Sequence, residues 1–221
     1  MKKTLLLILM VMGSSLVAQA QEDKYHMGTI AFYNVENLFD TINDPNKRDG
    51  EFTPEGRKNW NSTRYYKKLQ NISRILAKLG GDAPAIIGLC EVENKQVVED
   101  LVKTTRLKKY NYQIVHYPSP DRRGIDVSLI YRPEYFKVTS SKSYRLTDKN
   151  KPNFITRDQL LVTGNFDGDE IHFIVNHWPS RSGGQKRSAP RRFAAAKLTR
   201  SIADSLLDAN KNAKIIIMGD L

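Results

Sequence analysis

A single cysteine in 221 residues removes one class of architecture at once. Cys90 has no second thiol to pair with, so no disulfide can close within the chain and the fold must rest on its apolar core. Its setting, "AIIGLCEVEN", reads as that of a small buried hydrophobe rather than a nucleophile. Long apolar runs are equally scarce. Beyond residue 20 nothing approaches the ~20 consecutive apolar residues that a membrane span requires, so no stable membrane anchor is expected. Acidic side chains are in deficit, with 24 Asp and Glu against 35 Lys and Arg and a formal charge of +11. A field of that sign concentrates polyanions, and it serves equally to keep an exported protein soluble. No internal repeat or low-complexity linker divides the chain.

The first twenty residues stand apart. "MKKTLLLILMVMGSSLVAQA" has a basic start at Lys2 and Lys3, an apolar stretch from Leu5 to Met12 and an A-x-A ending at Ala18 and Ala20. That is the layout of a cleaved secretory signal, so residues 1–20 are predicted to be a signal peptide and the protein to be exported, periplasmic or secreted. The next residue is Gln21 rather than cysteine, which disfavours a lipid anchor. Residues 21–221 read as one domain, with the charge reduced to +9 when Lys2 and Lys3 are removed.

Eight strand-like runs are separated by turn signals: 29–35, 85–92, 112–117, 126–132, 135–146, 159–166, 171–177 and 214–219. Between them, Leu69, Ile72, Leu76 and Leu79 recur at helical spacing ahead of Gly80-Gly81. A second helix is predicted to start near Pro190, and a weaker one to cover 95–107. The polar stretch 41–62 reads as a long surface loop. Hairpins in the middle and helix-split strands at either end predict an α+β or mixed α/β fold.

Polar residues at strand ends carry the functional signal, because a sheet gathers several strand ends on one rim. Asn34 follows "IAFY", Glu91 follows "IIGLC", Asn176 and His177 follow "HFIV", and Asp220 follows "IIIMG". Each alone has an ordinary explanation as a turn, cap or solvated residue. Together they offer an amide oxygen and two carboxylates, the hard donors that magnesium prefers, and an imidazole that exchanges protons near neutrality.

"IAFYNVENLFD", "IIGLCEVEN", "GIDVSLIYR", "ITRDQLLV", "FIVNHWPSR" and "IIIMGDL" resemble, in order and approximate spacing, the motifs of the endonuclease/exonuclease/phosphatase superfamily. The resemblance runs from about residue 28 to residue 221 and implies a four-layer αββα sandwich, two mixed sheets with helices outside, incomplete at the C-terminus. It implies that Glu91 binds Mg2+ (or Mn2+) and that Asn34 positions the metal or the scissile phosphate. It further implies that His177 stands on the far side of that phosphate, that Arg157 contacts it, and that Asp220 belongs to a G-D-x-N motif. That motif's asparagine would be residue 222, and the family's terminal S-D-H is also missing, so the resemblance implies a C-terminally truncated domain.

The expected chemistry follows from the anionic phosphodiester, which repels hydroxide until a cation neutralises a nonbridging oxygen. Asn34 and Asn176 are expected to donate hydrogen bonds to the phosphate. A protonated His177 would supply a proton to the leaving oxygen, with Asp126 keeping the imidazole charged. The cluster Arg181, Lys186, Arg187, Arg191 and Arg192 is suited to tracking a nucleic-acid backbone, and equally to being a solvated loop; Trp178 reads as packing or as a base-stacking residue. The leading expectation is a monomeric, exported nuclease acting on nucleic acid. The alternatives are a phosphomonoesterase or lipid phosphodiesterase of the same superfamily, and a truncated polyanion-binding remnant without activity.

Overall fold

The computed structural model describes residues 27–147 and 154–221. The signal peptide expected over 1–20 lies outside them. All eight expected strands form: β1 (Ile30–Leu38), β2 (Ile86–Val92), β3 (Gln113–His116), β4 (Asp126–Tyr131), β5 (Phe136–Tyr144), β6 (Gln159–Phe166), β7 (Asp169–His177) and β8 (Lys214–Asp220). They make two four-stranded sheets, ordered β1-β2-β4-β3 and β5-β6-β7-β8. Both are mixed: β1 runs parallel to β2 and β7 parallel to β8, whereas the remaining pairs are antiparallel. Each parallel pair is joined through a helix, as a same-direction crossover requires.

Three apolar layers hold these pieces together. Helices α1 (Ser62–Leu76) and α2 (Lys95–Val102) cover the outer face of the first sheet, where Leu69, Leu76, Val98 and Leu101 meet Ile87 and Leu89. Between the sheets, Ile86, Cys90 and Leu129 face Val162, Phe173, Val175 and Met218. Helix α3 (Gln185–Ala209) sets Ile202 and Ala203 on Leu161 and Ile174 of the second sheet. This is the four-layer α+β sandwich that the resemblance implied. Burying each such Leu, Ile or Phe contributes ~1.5–3 kcal/mol. The sheets approach closely at Gly88, where an added Cβ would lie 2.4 Å from Met218 Sδ. Cys90 is fully buried, and that burial pushes its thiol pKa up, away from thiolate chemistry.

Three expectations differ in detail, the simplest being the helix predicted over 95–107, which ends at Val102. Helix α3 begins at Gln185, five residues ahead of Pro190. The bond that Pro190 forfeits would have reached the carbonyl of Lys186, so the cost falls on the opening turns and the helix survives. The 41–62 stretch is more than a surface loop, since Phe52 and Trp60 from it are buried in the helix-side core. Phe52 stacks on Phe39 at 4.0 Å, and Trp60 Nε1 donates to the Phe39 carbonyl at 3.0 Å.

This loop also brings carboxylates together. Glu93 Oε2 accepts from the Asp40 amide at 2.7 Å, and Asp49, almost fully buried, keeps Oδ1 without a partner. Burial, reinforced by the charges of Asp40 and Asp49, pushes Glu93 up to about 8. Glu93 therefore holds its proton well above the usual carboxylate range, beside the buried Asp49. The native state holds this proton more tightly than the unfolded chain, so stability is expected to fall as pH rises from about 5 to about 8. Urea unfolding across that range checks this. Glu93→Gln, which keeps a donor and carries no charge, should remove the Glu93 part of the decline and leave the protein more stable than the parent at about pH 9. An unchanged slope in the variant would refute the assignment.

Candidate active site

Period-two alternation along the strands decides which end residues meet. Ile30 and Phe32 of β1 and Ile216 and Met218 of β8 face the inter-sheet layer, so Asn34 and Asp220 share that side. His177 follows Phe173 and Val175 on the same side of β7. Glu91 is out of phase, because continued alternation from Ile87 and Leu89 would send it under the helices. A register shift between Cys90 and Val92 corrects this, with Glu91 at φ 64° and Val92 taking the helix-side place. A bulge of this kind re-aims a side chain, and a non-glycine residue held at positive φ next to a cleft marks a functional position. β1 has a matching irregularity after Asn34, with Glu36 and Asn37 at φ 54° and 61°.

The four side chains form one cluster. Asn34 Nδ2 donates to Glu91 Oε1 at 3.3 Å and to Asp220 Oδ2 at 3.1 Å, while its Oδ1 accepts from the Glu36 amide at 2.8 Å. His177 Nε2 stands 3.7 Å from Glu91 Oε1. His177 and Asp220 are register partners across β7 and β8, and Asp220 accepts the Trp178 amide through its backbone oxygen at 2.9 Å. Among the described residues no lysine or arginine pairs with either carboxylate.

Arg157 is the nearby cation. Its Nη1 lies 3.4 Å from Asp121 Oδ2, and its Nη2 donates to the Trp178 carbonyl at 2.6 Å. Burial pulls the guanidinium pKa down and Asp121 opposes this. Asp121 was not singled out from the sequence; its place in the turn "SPDRRG" gave no sign of a partner 36 residues away.

Three expectations need correction. Asn176 does not face a substrate: it is 0% exposed, its Oδ1 accepts from Thr199 Oγ1 at 3.0 Å, and its Nδ2 donates to the Ile174 and Met218 carbonyls at 3.2 and 3.3 Å. It follows Ile174 onto the α3 side, where a buried amide needs all its partners within the protein. Asp126 does not pair with His177. By the parity of Ser128 and Ile130 it sits away from the inter-sheet side, where His116 Nε2 lies 2.9 Å from its Oδ2 and the Ser119 amide donates to Oδ1 at 2.9 Å. His177 is therefore not held charged. Burial, then the charges of Arg157 and Arg123, lower its pKa to about 3, so the imidazole is neutral at ordinary pH. Arg181 lies outside the cluster, lining a groove of about 740 Å³ with Trp178, Arg192 and Phe193.

The donors present suit a magnesium ion. Two carboxylates share one amide and lack a lysine or arginine partner, a charge excess that a hard cation relieves. No group of three or more His, Cys, Asp or Glu side chains is placed to hold a metal among the described residues. Magnesium needs no such group, since it takes one or two carboxylates and fills the remainder with water and substrate phosphate.

The class this defines is an αββα sandwich with polar and acidic strand ends gathered on one rim. The chain belongs to the endonuclease/exonuclease/phosphatase family, whose sequence profile matches residues 29–221; members of that family are generally dependent on a divalent metal. No curated protein matches it by sequence. Among solved structures, humanized D. rerio TDP2 carrying 14 mutations superposes with a TM-score of 0.56 at 16% identity, covering 87% of this chain and 62% of that one. An endonuclease/exonuclease/phosphatase family protein from Bacteroides thetaiotaomicron gives 0.56 at 17%, covering 88% and 64%. D. rerio TDP2 complexed with a single-strand DNA product gives 0.52 at 17%, covering 87% and 60%. These likenesses establish the shared fold, and the chain spans about three fifths of the length of each structure.

Proposed function

We propose that this protein is an exported, magnesium-dependent phosphodiesterase that cleaves nucleic acid. One observation carries the reading: strand ends from both sheets bring Glu91 and Asp220 within hydrogen-bonding reach of the one Asn34 amide, beside a neutral His177 and the buried cation Arg157. Glu91, with Asn34 and Asp220 beside it, would hold the ion. A magnesium ion held by these residues would supply positive charge to a nonbridging phosphate oxygen of the substrate. Neutral His177 retains one ring N–H; carried on Nε2, the nitrogen that faces Glu91, it would donate to a phosphate oxygen. Arg157, fixed by Asp121 and the Trp178 carbonyl, adds positive potential at the rim.

The formal charge of +11 and the cations Arg181, Lys186, Arg187 and Arg191 after His177 favour a polymeric anion as substrate. The single-strand DNA product held by the structurally similar D. rerio TDP2 supports the same choice. Supercoiled plasmid and an inositol phosphate panel, each with magnesium and with EDTA, form the test. Magnesium-dependent nicking of plasmid is expected; cleavage of the inositol phosphates alone would overturn the nuclease reading in favour of a phosphomonoesterase or lipid phosphodiesterase. Salt-sensitive DNA binding with no turnover would identify a binding protein. Export is carried by residues 1–20 alone, and a mature N-terminus at Gln21 in mass spectra of secreted or periplasmic material is the expected result.

A further inference from the structure

A second cavity, of about 250 Å³, opens between the segment 154–157, the loop 179–182 and the first turns of α3. Its polar lining is Arg157, Arg187, Arg191, Thr156, Ser180 and Ser182, and among the described residues no carboxylate reaches it. The space has room for several waters, or for a tetrahedral oxyanion with part of its hydration shell.

Two of the three guanidiniums here, those of Arg187 and Arg191, have no carboxylate partner among the described residues, and the third, Arg157, has only Asp121. Arg157 is only 8% exposed, and after Asp121 and the Trp178 carbonyl have taken Nη1 and Nη2, its Nε remains buried with no acceptor. Native proteins rarely leave such a donor unanswered, because its lost hydration is not repaid. Helix α3 adds to the field: it starts at Gln185 with no side-chain cap and no acidic residue in its first turn, so its positive end is not offset locally. The loop also keeps Arg187 in place. Gly183, at φ 81°, leaves room that a Cβ would take, since that atom would lie 2.6 Å from Arg187 Cδ.

We propose that this cavity is a second anion subsite, which receives a phosphate group of the substrate adjacent to the scissile one. Its role in turnover rests on the phosphodiesterase reading above; its capacity to bind phosphate does not. Arg157 joins the two places, because it lines the cavity while holding the carbonyl of Trp178, the residue after His177. A phosphate gripped here fixes the register of the chain to be cut, and binding energy from a non-reacting group becomes orientation at the reacting one. A terminal phosphomonoester and an internal phosphodiester both present the required tetrahedral oxyanion.

The test uses the full chain, free of metal and at low ionic strength, titrated with inorganic phosphate and followed by amide and arginine Nε NMR signals. Saturable shifts are expected at Thr156, Arg157, Ser180 and Ser182. The double variant R187Q/R191Q should bind phosphate at least about tenfold more weakly with an unchanged thermal midpoint, since neither guanidinium has a structural partner. Two oligonucleotides differing only in a 5′-phosphate identify the source. A preference for the phosphorylated one that the double variant loses indicates a terminal monoester; equal binding of both, weakened equally in the variant, indicates an internal diester. Absence of phosphate-dependent shifts at these residues, or binding unchanged in the double variant, would overturn the proposal. Phosphate binding here without magnesium-dependent hydrolysis would refute the function and leave the subsite standing; hydrolysis without such binding would do the reverse.

Discussion

Glu91→Gln is expected to lower magnesium-dependent phosphodiester hydrolysis on the order of 10²- to 10³-fold or more, the scale set by losing one stabilising contact to developing charge. The substitution preserves shape and removes the negative charge that would hold the ion. Glu91 reaches the rim through a backbone at φ 64° and shares the Asn34 amide with Asp220. The fold therefore accepts a local conformational cost to place two acidic groups around one amide. Two further readouts separate a metal ligand from a structural residue. Binding of Mn2+, followed by electron paramagnetic resonance without any turnover, should weaken in parallel with activity. The metal-free protein should be no less stable than the parent, because one of two neighbouring carboxylates has been neutralised. Unchanged Mn2+ affinity would remove Glu91 from the metal site, whatever the kinetics.

Phe173→Ala is expected to cost about 3–5 kcal/mol of folding stability, a large share of the ~5–15 kcal/mol typical of a domain. Phe173 lies on β7, fully buried between the sheets, with its ring centroid 5.3 Å from that of Phe136 in an edge-to-face arrangement. Urea denaturation measures the loss directly. The effect extends to the rim, because Asn34 and Glu91 belong to the first sheet whereas His177 and Asp220 belong to the second. A cavity in the layer between the sheets weakens the one interface that keeps the Asn34 to Asp220 contact at 3.1 Å. Metal affinity should therefore fall along with stability. A loss below about 1 kcal/mol would mean that the inter-sheet layer collapses freely around the missing ring, against the dense packing read here.

Much of this protein was legible before any tertiary contact was known. Each of the eight strands is an apolar, β-branched-rich or alternating run bounded by turn residues, and such local patterns survive most fully where a strand is buried along its length, as β2 and β4 are. Helix α1 was legible for the same reason, since Leu69, Ile72 and Leu76 recur on one face. The start of α3 was misplaced because Pro190 resembles an N-terminal signal, whereas the glycine pair Gly183-Gly184 had already turned the chain into helix. The buried roles of Phe52 and Trp60 were missed because loop composition outweighed two scattered aromatics.

The site divides along the same line. The sequence by itself determined the strand ends, and the period-two rule puts Asn34 on the face of Phe32, His177 on that of Val175 and Asp220 on that of Met218, whereas packing decides that these faces meet between the sheets. The same rule sets Asn176 on the opposite face from His177, because one residue along a strand is one change of face, and packing turns that face towards α3. Only the tertiary structure decided the rest. Glu91 joins the cluster through a bulge that breaks the alternation, and no local pattern announces a register shift. Arg157 is aimed by Asp121 and a carbonyl of another strand, and His177 is neutral because burial and that arginine act on it together. Hydrogen bonds, desolvation and charge across the gap between two sheets depend on distances between segments far apart in the chain, and those distances exist only once the sheets have packed.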